Sequence, residues 1–195
     1  MRLGSMLHGH ARVQLALALI ARRTRLSIVH QETDIPRDAL RALYREVHGA
    51  PAPSGQLPAA GATVITTRSL QLQASLFATA YRRFRQLPAA GEQDPANARQ
   101  ARPIQAVIRA HDALHALLGA ENSLDMTRCW TLARDLRNGD AELHHCPTCE
   151  IDYLITRNGR FDQDCPLCAL YRCAGLSVRA LGRRRGTVIR TPGSG

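Results

Sequence analysis

The sequence contains no lysine: all 26 basic residues among its 195 are arginine. Aromatic side chains are nearly as scarce, at 4%, with one Trp, four Tyr and three Phe. The core must therefore be built mostly from Leu, Ala, Ile and Val, a mixture that favours helices over sheets. Long apolar runs are missing too. Residues 13–21 form the most apolar stretch near the N-terminus, but they are too few to cross a bilayer. They run straight into Arg22-Arg23 without a polar-flanked cleavage site, which argues against a secretory signal and against a membrane partner. A P-loop, a dinucleotide fingerprint and a nucleophile elbow are all absent, so the chain is expected not to be an enzyme. A reducing cytoplasm is the expected compartment, where six cysteines serve as thiols or metal ligands.

What is present is a strong positive charge, unevenly spread. The formal net charge is +10. Counting Arg against Asp and Glu gives +4 for residues 1–48, +3 for 49–100, −1 for 101–145, −2 for 146–168 and +6 for 169–195. The excess sits towards the two ends. Such a surface suits an anionic partner such as nucleic acid and would lose affinity steeply with salt. The plainer reading of the C-terminal arginines is a solvated run that aids solubility.

The most specific signal is Cys146-Pro-Thr-Cys149 followed, after fifteen residues, by Cys165-Pro-Leu-Cys168. That spacing fits two short knuckles, each aiming two sulfurs at one point, which together complete a tetrahedral S₄ shell around one structural Zn²⁺. Four thiolates leave no vacant position for catalysis. A pair of disulfides and an iron–sulfur cluster are the alternatives.

Read in order, the chain begins with a loose segment at 1–10, then a helix carrying Val13, Leu15, Leu17, Leu19 and Ile20. That helix is apolar almost all round, which predicts burial on several sides. Residues 25–31 form a second, short helix. Pro36 opens a third, with Ala39, Leu40, Leu43, Tyr44 and Val47 on one face and Arg37, Arg41 and Arg45 on the other. A short helix, a turn and a second helix with an arginine stripe have the outline of a helix-turn-helix, whose second helix enters the major groove. An ordinary helical hairpin with a solvated arginine face has the same pattern.

Residues 49–61 read as a Pro/Gly loop, 62–66 as a short strand, and a long helix starts at Ser69. Residues 88–103 read as a flexible connection. Amphipathic helices follow, from Ile104 to near Gly119 and from Asp125 to Asn138-Gly139. The composition changes there, placing a boundary between a helical domain at 1–139 and a cysteine module at 140–195. Short strands at 141–145 and 153–156 frame the first knuckle, with Asn158-Gly159 as a hairpin turn between the cysteine pairs.

Some constellations have plainer readings. His111-Asp-Ala-Leu-His115 echoes the H-E-x-x-H metalloprotease motif, but Asp replaces the general-base Glu and no third ligand follows. His144 and His145 abut Cys146, although four cysteines already complete the shell. Cys173 follows the last ligand closely, and Cys129 reads as a buried small hydrophobe.

The order of features then becomes recognisable. A Leu-Ala-Leu-Ala-Leu-Ile run at 15–20 leads to Arg25-Leu26, to Leu43-Tyr44-Arg45-Glu46 and to the 49–58 loop ending Gln56-Leu57-Pro58. Ala74-Ser75-Leu76-Phe77, the 106–110 segment Ala-Val-Ile-Arg-Ala and Cys129-Trp-Thr-Leu132 come later, before the cysteine pairs and the arginine tail. From about Val13 to Arg185 the chain resembles the FlhC family, the C subunit of the bacterial flagellar master transcriptional activator. The resemblance implies a mainly helical protein with zinc on Cys146, Cys149, Cys165 and Cys168. It also implies a hetero-oligomer with the family's D subunit that binds promoter DNA and recruits RNA polymerase to flagellar operons. The 87–103 connection is longer than usual, and residues 62–69 lack the aromatics expected after the Leu-Pro loop.

The expected molecule is thus mainly α: a helical body containing a helix-turn-helix-like pair, followed by a small Cys₄ zinc-ribbon-like module. Arg37, Arg41, Arg45, Arg179, Arg183, Arg184 and Arg185 are its candidate DNA contacts. The reading from a different class is a zinc-stabilised protein-interaction adaptor that does not bind DNA.

Overall fold

The computed structural model describes residues 3–87, 103–161 and 164–175. Most of the expected 88–103 connection and the whole arginine tail, including Arg179, Arg183, Arg184 and Arg185, lie outside the described residues. The chain runs α1 (Leu3–Ala21), α2 (Leu26–Thr33), α3 (Arg37–His48), α4 (Gly61–Val64), α5 (Arg68–Gln86), α6 (Pro103–Leu118), a 3₁₀ turn (Gly119–Glu121) and α7 (Met126–Asn138). A hairpin of β1 (Ala141–His145) and β2 (Asp152–Thr156) follows, then α8 (Pro166–Cys173). The protein is mainly α, as its aliphatic, aromatic-poor composition predicts.

The first three helices lock together through backbone ends. The turn between α2 and α3 reverses at Asp34, which adopts a left-handed conformation (φ 54°) and donates its N–H to the His30 carbonyl at 2.7 Å. Arg12 on α1 reaches across to the free carbonyls there, bonding Thr33 O and Asp34 O at 2.6 Å each. His48 on α3 meets the Ile20 carbonyl at the end of α1 at 2.8 Å. Leu19, Ile20, Ile28, Val29, Leu40 and Tyr44 fill the space between these helices and join one continuous core with Phe77, Val107, Met126, Trp130 and Leu132. Burying a side chain of this size stabilises by about 1.5–3 kcal/mol.

The structure corrects three expectations. Residues 3–10 are not loose but form the first turns of α1, because no proline interrupts the backbone ladder there. Residues 62–66 make no strand. The Thr63 hydroxyl and N–H both donate to the Ala60 carbonyl, at 2.7 and 3.0 Å, closing the single helical turn of α4. Val64 and Ile65 are then buried in the core. Asn158-Gly159 forms a turn closed by Gly159 N–H to Thr156 O at 2.9 Å, but it does not connect the two strands. The first cysteine knuckle does, and among the described residues no third strand follows.

Gly61 marks a close approach between the helices and the hairpin. Its N–H donates to the buried Asp135 carboxylate at 2.5 Å. A Cβ there would meet Leu132 Cδ2 and Thr156 Cγ2, both at 3.1 Å. The long helix α5 is the central post, touching α6, α7, both strands and α8.

Candidate metal centre and arginine face

The hairpin delivers the first two sulfurs. Its register pairs His145 with Asp152, so the chain must reverse within the intervening residues. Cys146 N–H donates to Ile151 O at 2.9 Å, Glu150 N–H donates to Cys146 O at 2.8 Å, and Glu150 takes a left-handed φ of 58°. This tight knuckle presents Cys146 and Cys149 together. The second pair rides on a helix start: Cys165 caps α8, Pro166 supplies the fixed φ of its first turn, and Cys168 follows within that turn. An N-terminal helix end also favours negative charge on the sulfurs.

All four Sγ atoms lie within 4.8 Å of one another. The Cys146–Cys168 and Cys149–Cys165 sulfurs are 3.7 and 3.5 Å apart. A tetrahedral ion with metal–sulfur bonds of about 2.3 Å requires sulfur–sulfur edges of about 3.8 Å, so the donor set fits such an ion. All four are free thiols, two buried and two half-buried. Burial pushes the thiols of Cys146, Cys149 and Cys168 up, yet N–H groups of Cys149 and Thr148 bring Cys146 down to about 6. Burial and neighbouring sulfurs leave Cys149 raised and Cys168 at about 11. One thiolate therefore forms readily and further ones are resisted. A divalent cation removes that resistance, which couples metal uptake to proton release. The neighbouring histidines have other partners: His144 meets Glu142 at 2.8 Å and His145 meets Asp152 at 3.1 Å. Cys173 is exposed outside the cluster, and Cys129 is fully buried, its thiol pushed well up by burial.

The residues that seat this cluster on the helices gave little signal in the sequence. They lie along one face of α5, at Arg68, Gln71, Ser75 and Arg82. Gln71 donates to Leu154 O at 3.2 Å and Phe161 O at 3.1 Å. Ser75 Oγ accepts the Leu154 N–H at 2.9 Å. Arg68 stacks 4.7 Å from the Phe161 ring centroid and donates to Asp164 O at 3.0 Å, immediately before Cys165. Arg82 pairs with Asp152. Gln and Ser at core spacing within an otherwise apolar helix face were the available clue.

Arg37, Arg41 and Arg45 are exposed and line one cleft of about 300 Å³, with Arg25, Ser27 and residues 51–54 around them. Arg41 pairs with Asp38 at 2.7 Å. The 49–61 loop is where its Pro/Gly content places it, but its packing with Arg25 against these arginines to form a cleft gave no signal in the sequence.

The His111/His115 pair is put to another use. The rings stack in parallel, with centroids 6.3 Å apart. Both oxygens of Asp112 are taken by Arg22, in the turn that follows α1, at 2.7 and 2.5 Å, so this carboxylate ties the end of α1 to α6. Among the described residues the four cysteines are the one cluster competent to hold a metal. No helix among them is long and apolar enough to cross a membrane.

A family profile described as flagellar transcriptional activator (FlhC) matches residues 1–180. The chain is 35% identical to the flagellar transcriptional regulator FlhC of Cupriavidus metallidurans over 136 residues, 70% of this chain and 60% of that protein. That match thus spans less than two thirds of the relative's own length. It is 29% identical to the protein of the same name from Cupriavidus necator over 168 residues, 84% of this chain and 77% of the relative. The corresponding Nitrosomonas eutropha protein is 26% identical over 188 residues, 94% and 92% of the two chains.

Proposed function

The chain belongs to the FlhC family of flagellar transcriptional activators, and from that premise we propose that it is the DNA-binding subunit of a cytoplasmic activator. It works with a D-type partner subunit at flagellar promoters and recruits RNA polymerase there. It carries out no catalysis. The observation that carries this reading is the arginine stripe of α3: three exposed arginines at successive helical turns, lining one cleft on the second helix of a helix–turn–helix pair.

Residues 1–139 supply the DNA-binding and subunit-interaction part. Residues 140–195 form a zinc module with an arginine-rich tail, in which Arg179, Arg183, Arg184 and Arg185 add phosphate contacts. Cys146, Cys149, Cys165 and Cys168 hold one Zn²⁺. The ion, when bound, neutralises the thiolates and cross-links the two knuckles. The chain's own residues do the rest: α5 seats the module through Gln71 and Ser75, and α3 presents its arginines to the duplex.

The test is promoter binding by the full chain co-purified with its partner, titrated with salt. Affinity falling steeply as salt rises is expected, because arginine–phosphate contacts release counterions. Absent or salt-insensitive binding overturns the reading. A stable partner complex without any promoter shift, even at low salt, would instead identify a protein-interaction adaptor.

A further inference from the structure

Arg25 stands at the start of α2, where its backbone N–H donates to Thr127 Oγ1 of α7 at 3.4 Å. Its guanidinium turns the other way, into the loop after α3. There Nη1 donates to the carbonyls of Pro53, Ser54 and Gly55, the first at 3.2 Å and the last at 3.5 Å. Gly55 has a φ of +118°, which side chains rarely adopt, and a Cβ built on it would sit 3.2 Å from Arg25 Nη1 and 3.5 Å from Nη2. Glycine thus supplies both the backbone conformation and the space for the guanidinium. Two observations, the converging carbonyls and the glycine gap, describe one lock that ties residues 51–55 to the foot of α2.

That strap is a wall of the arginine cleft. Pro51, Ala52, Pro53 and Ser54 face Arg37, Arg41 and Arg45 across about 300 Å³. The three α3 arginines rise about 6 Å apart along the helix. They are not equivalent: Arg41 is paired with Asp38, whereas Arg37 and Arg45 have no acidic partner among the described residues.

We propose that this cleft is a phosphate-recognition site. Arg37 and Arg45 make the contacts, the 51–55 strap closes one side, and Arg25 is the positioning residue that holds the strap through Gly55. This rests on the DNA-binding reading above and deepens it by naming a second element of the interface and the chemical group it receives. A diester phosphate of duplex DNA and a free phosphate share the necessary chemistry. A guanidinium fork suits either, because its planar donors match two phosphate oxygens.

The experiment uses the full chain co-purified with its partner, promoter duplex, and the variants Arg37→Ala, Arg45→Ala, Arg41→Ala, Arg25→Lys and Gly55→Ala, each checked for a cooperative melting transition above the assay temperature. Arg37→Ala and Arg45→Ala should each lower the slope of log affinity against log salt by about one, the signature of one lost phosphate contact. Arg41→Ala should lower it less. Arg25→Lys keeps the charge but loses the planar fork, so it should weaken binding about tenfold with little change in slope. Gly55→Ala should match it, and the double variant should be no weaker than either single one.

If wild type binds DNA and these variants bind with its affinity and slope, the inference is overturned while the proposed function survives. If wild type does not bind duplex at all, the proposed function fails, and inorganic phosphate alone then decides the cleft. Saturable shifts of the Arg37 and Arg45 Nε–H NMR signals would support a free-anion site, and unmoved signals would overturn it.

Discussion

The helical body and the cysteine end of this protein are stabilised by different physics. The body, through α7, holds almost the whole buried apolar cluster, from Ala16 to Ala133. Among the described residues past 140, only Ala141 and Leu154 belong to that cluster, with Leu143 and Phe161 packed against its edge. A segment that small cannot bury enough apolar surface to offset its conformational entropy and needs a staple. Four convergent sulfurs provide one, and the polar face of α5 supplies a second attachment. The contrast sets an expectation of dependence: the body should stand without the cysteines, whereas the cysteine end should need both a bound metal and α5.

Metal removal is the largest test of that contrast. Structural zinc sites contribute on the order of 10 kcal/mol to folding, far more than any single side chain in the body. Chelation, or Cys165→Ser, should abolish amide-exchange protection in β1, β2 and α8 while α1–α3 and α6 keep theirs. In α5 the effect should concentrate at Arg68, Gln71 and Ser75, whose partners lie on the freed segment. Loss of protection in all helices at once would erase the distinction between the two regions. Retention should also fail as pH falls, because protons compete for the thiolates.

A smaller test acts on the joint alone. Ser75→Ala removes the acceptor of the Leu154 N–H, which is buried and has no ladder partner on that side of β2. Leaving such a donor unpaired costs about 1–3 kcal/mol. The variant should lower the denaturation midpoint of the metal-loaded protein. In metal-free protein its effect should shrink towards zero, since the hairpin would already have left α5. An equal cost with and without metal would mean that the hairpin docks independently of the cysteines.

How much of this was legible in the sequence follows from range. The cysteine cluster was legible because its spacing encodes its geometry within one short stretch. Helices α2, α3, α5, α6 and α7 were legible because each carries its own apolar period and stop signals, such as Asn138-Gly139 after α7. The α4 turn was not, because Val64 and Ile65 follow the strand preference of β-branched side chains only when a partner edge exists, and here they meet the core instead. Gln71, Ser75 and Arg25 act on residues far along the chain, at Leu154, Phe161 and Thr127. Polar side chains reveal such partners only once the fold has brought them together. The Arg25–Gly55 lock had a partial signal in a glycine within a Pro-rich loop, which marks a turn but not the guanidinium that occupies it.

The smallest effect is expected inside the body itself. Burial works against the Asp112 carboxylate, but the bonds from Arg22 and His111 outweigh it and hold its pKa below the ordinary 3.8. A depressed carboxylate pKa means that the unfolded chain binds the proton more tightly than the folded one. The pair's contribution is therefore fully present above about pH 4 and is lost as pH falls through the lowered folded value. Both side chains are partly exposed, so screening limits the pair to about 0.5–1 kcal/mol. Arg22→Ala should produce a midpoint shift of that size at pH 7 and a smaller one as pH falls through the lowered Asp112 value, where only its bond to the Ala18 carbonyl is left. It should leave the metal content and the protection of β1, β2 and α8 unchanged. A shift several times larger, or one that carries metal loss with it, would show that the α1–α6 contact supports the cysteine end through α5 and that the two regions are one cooperative unit.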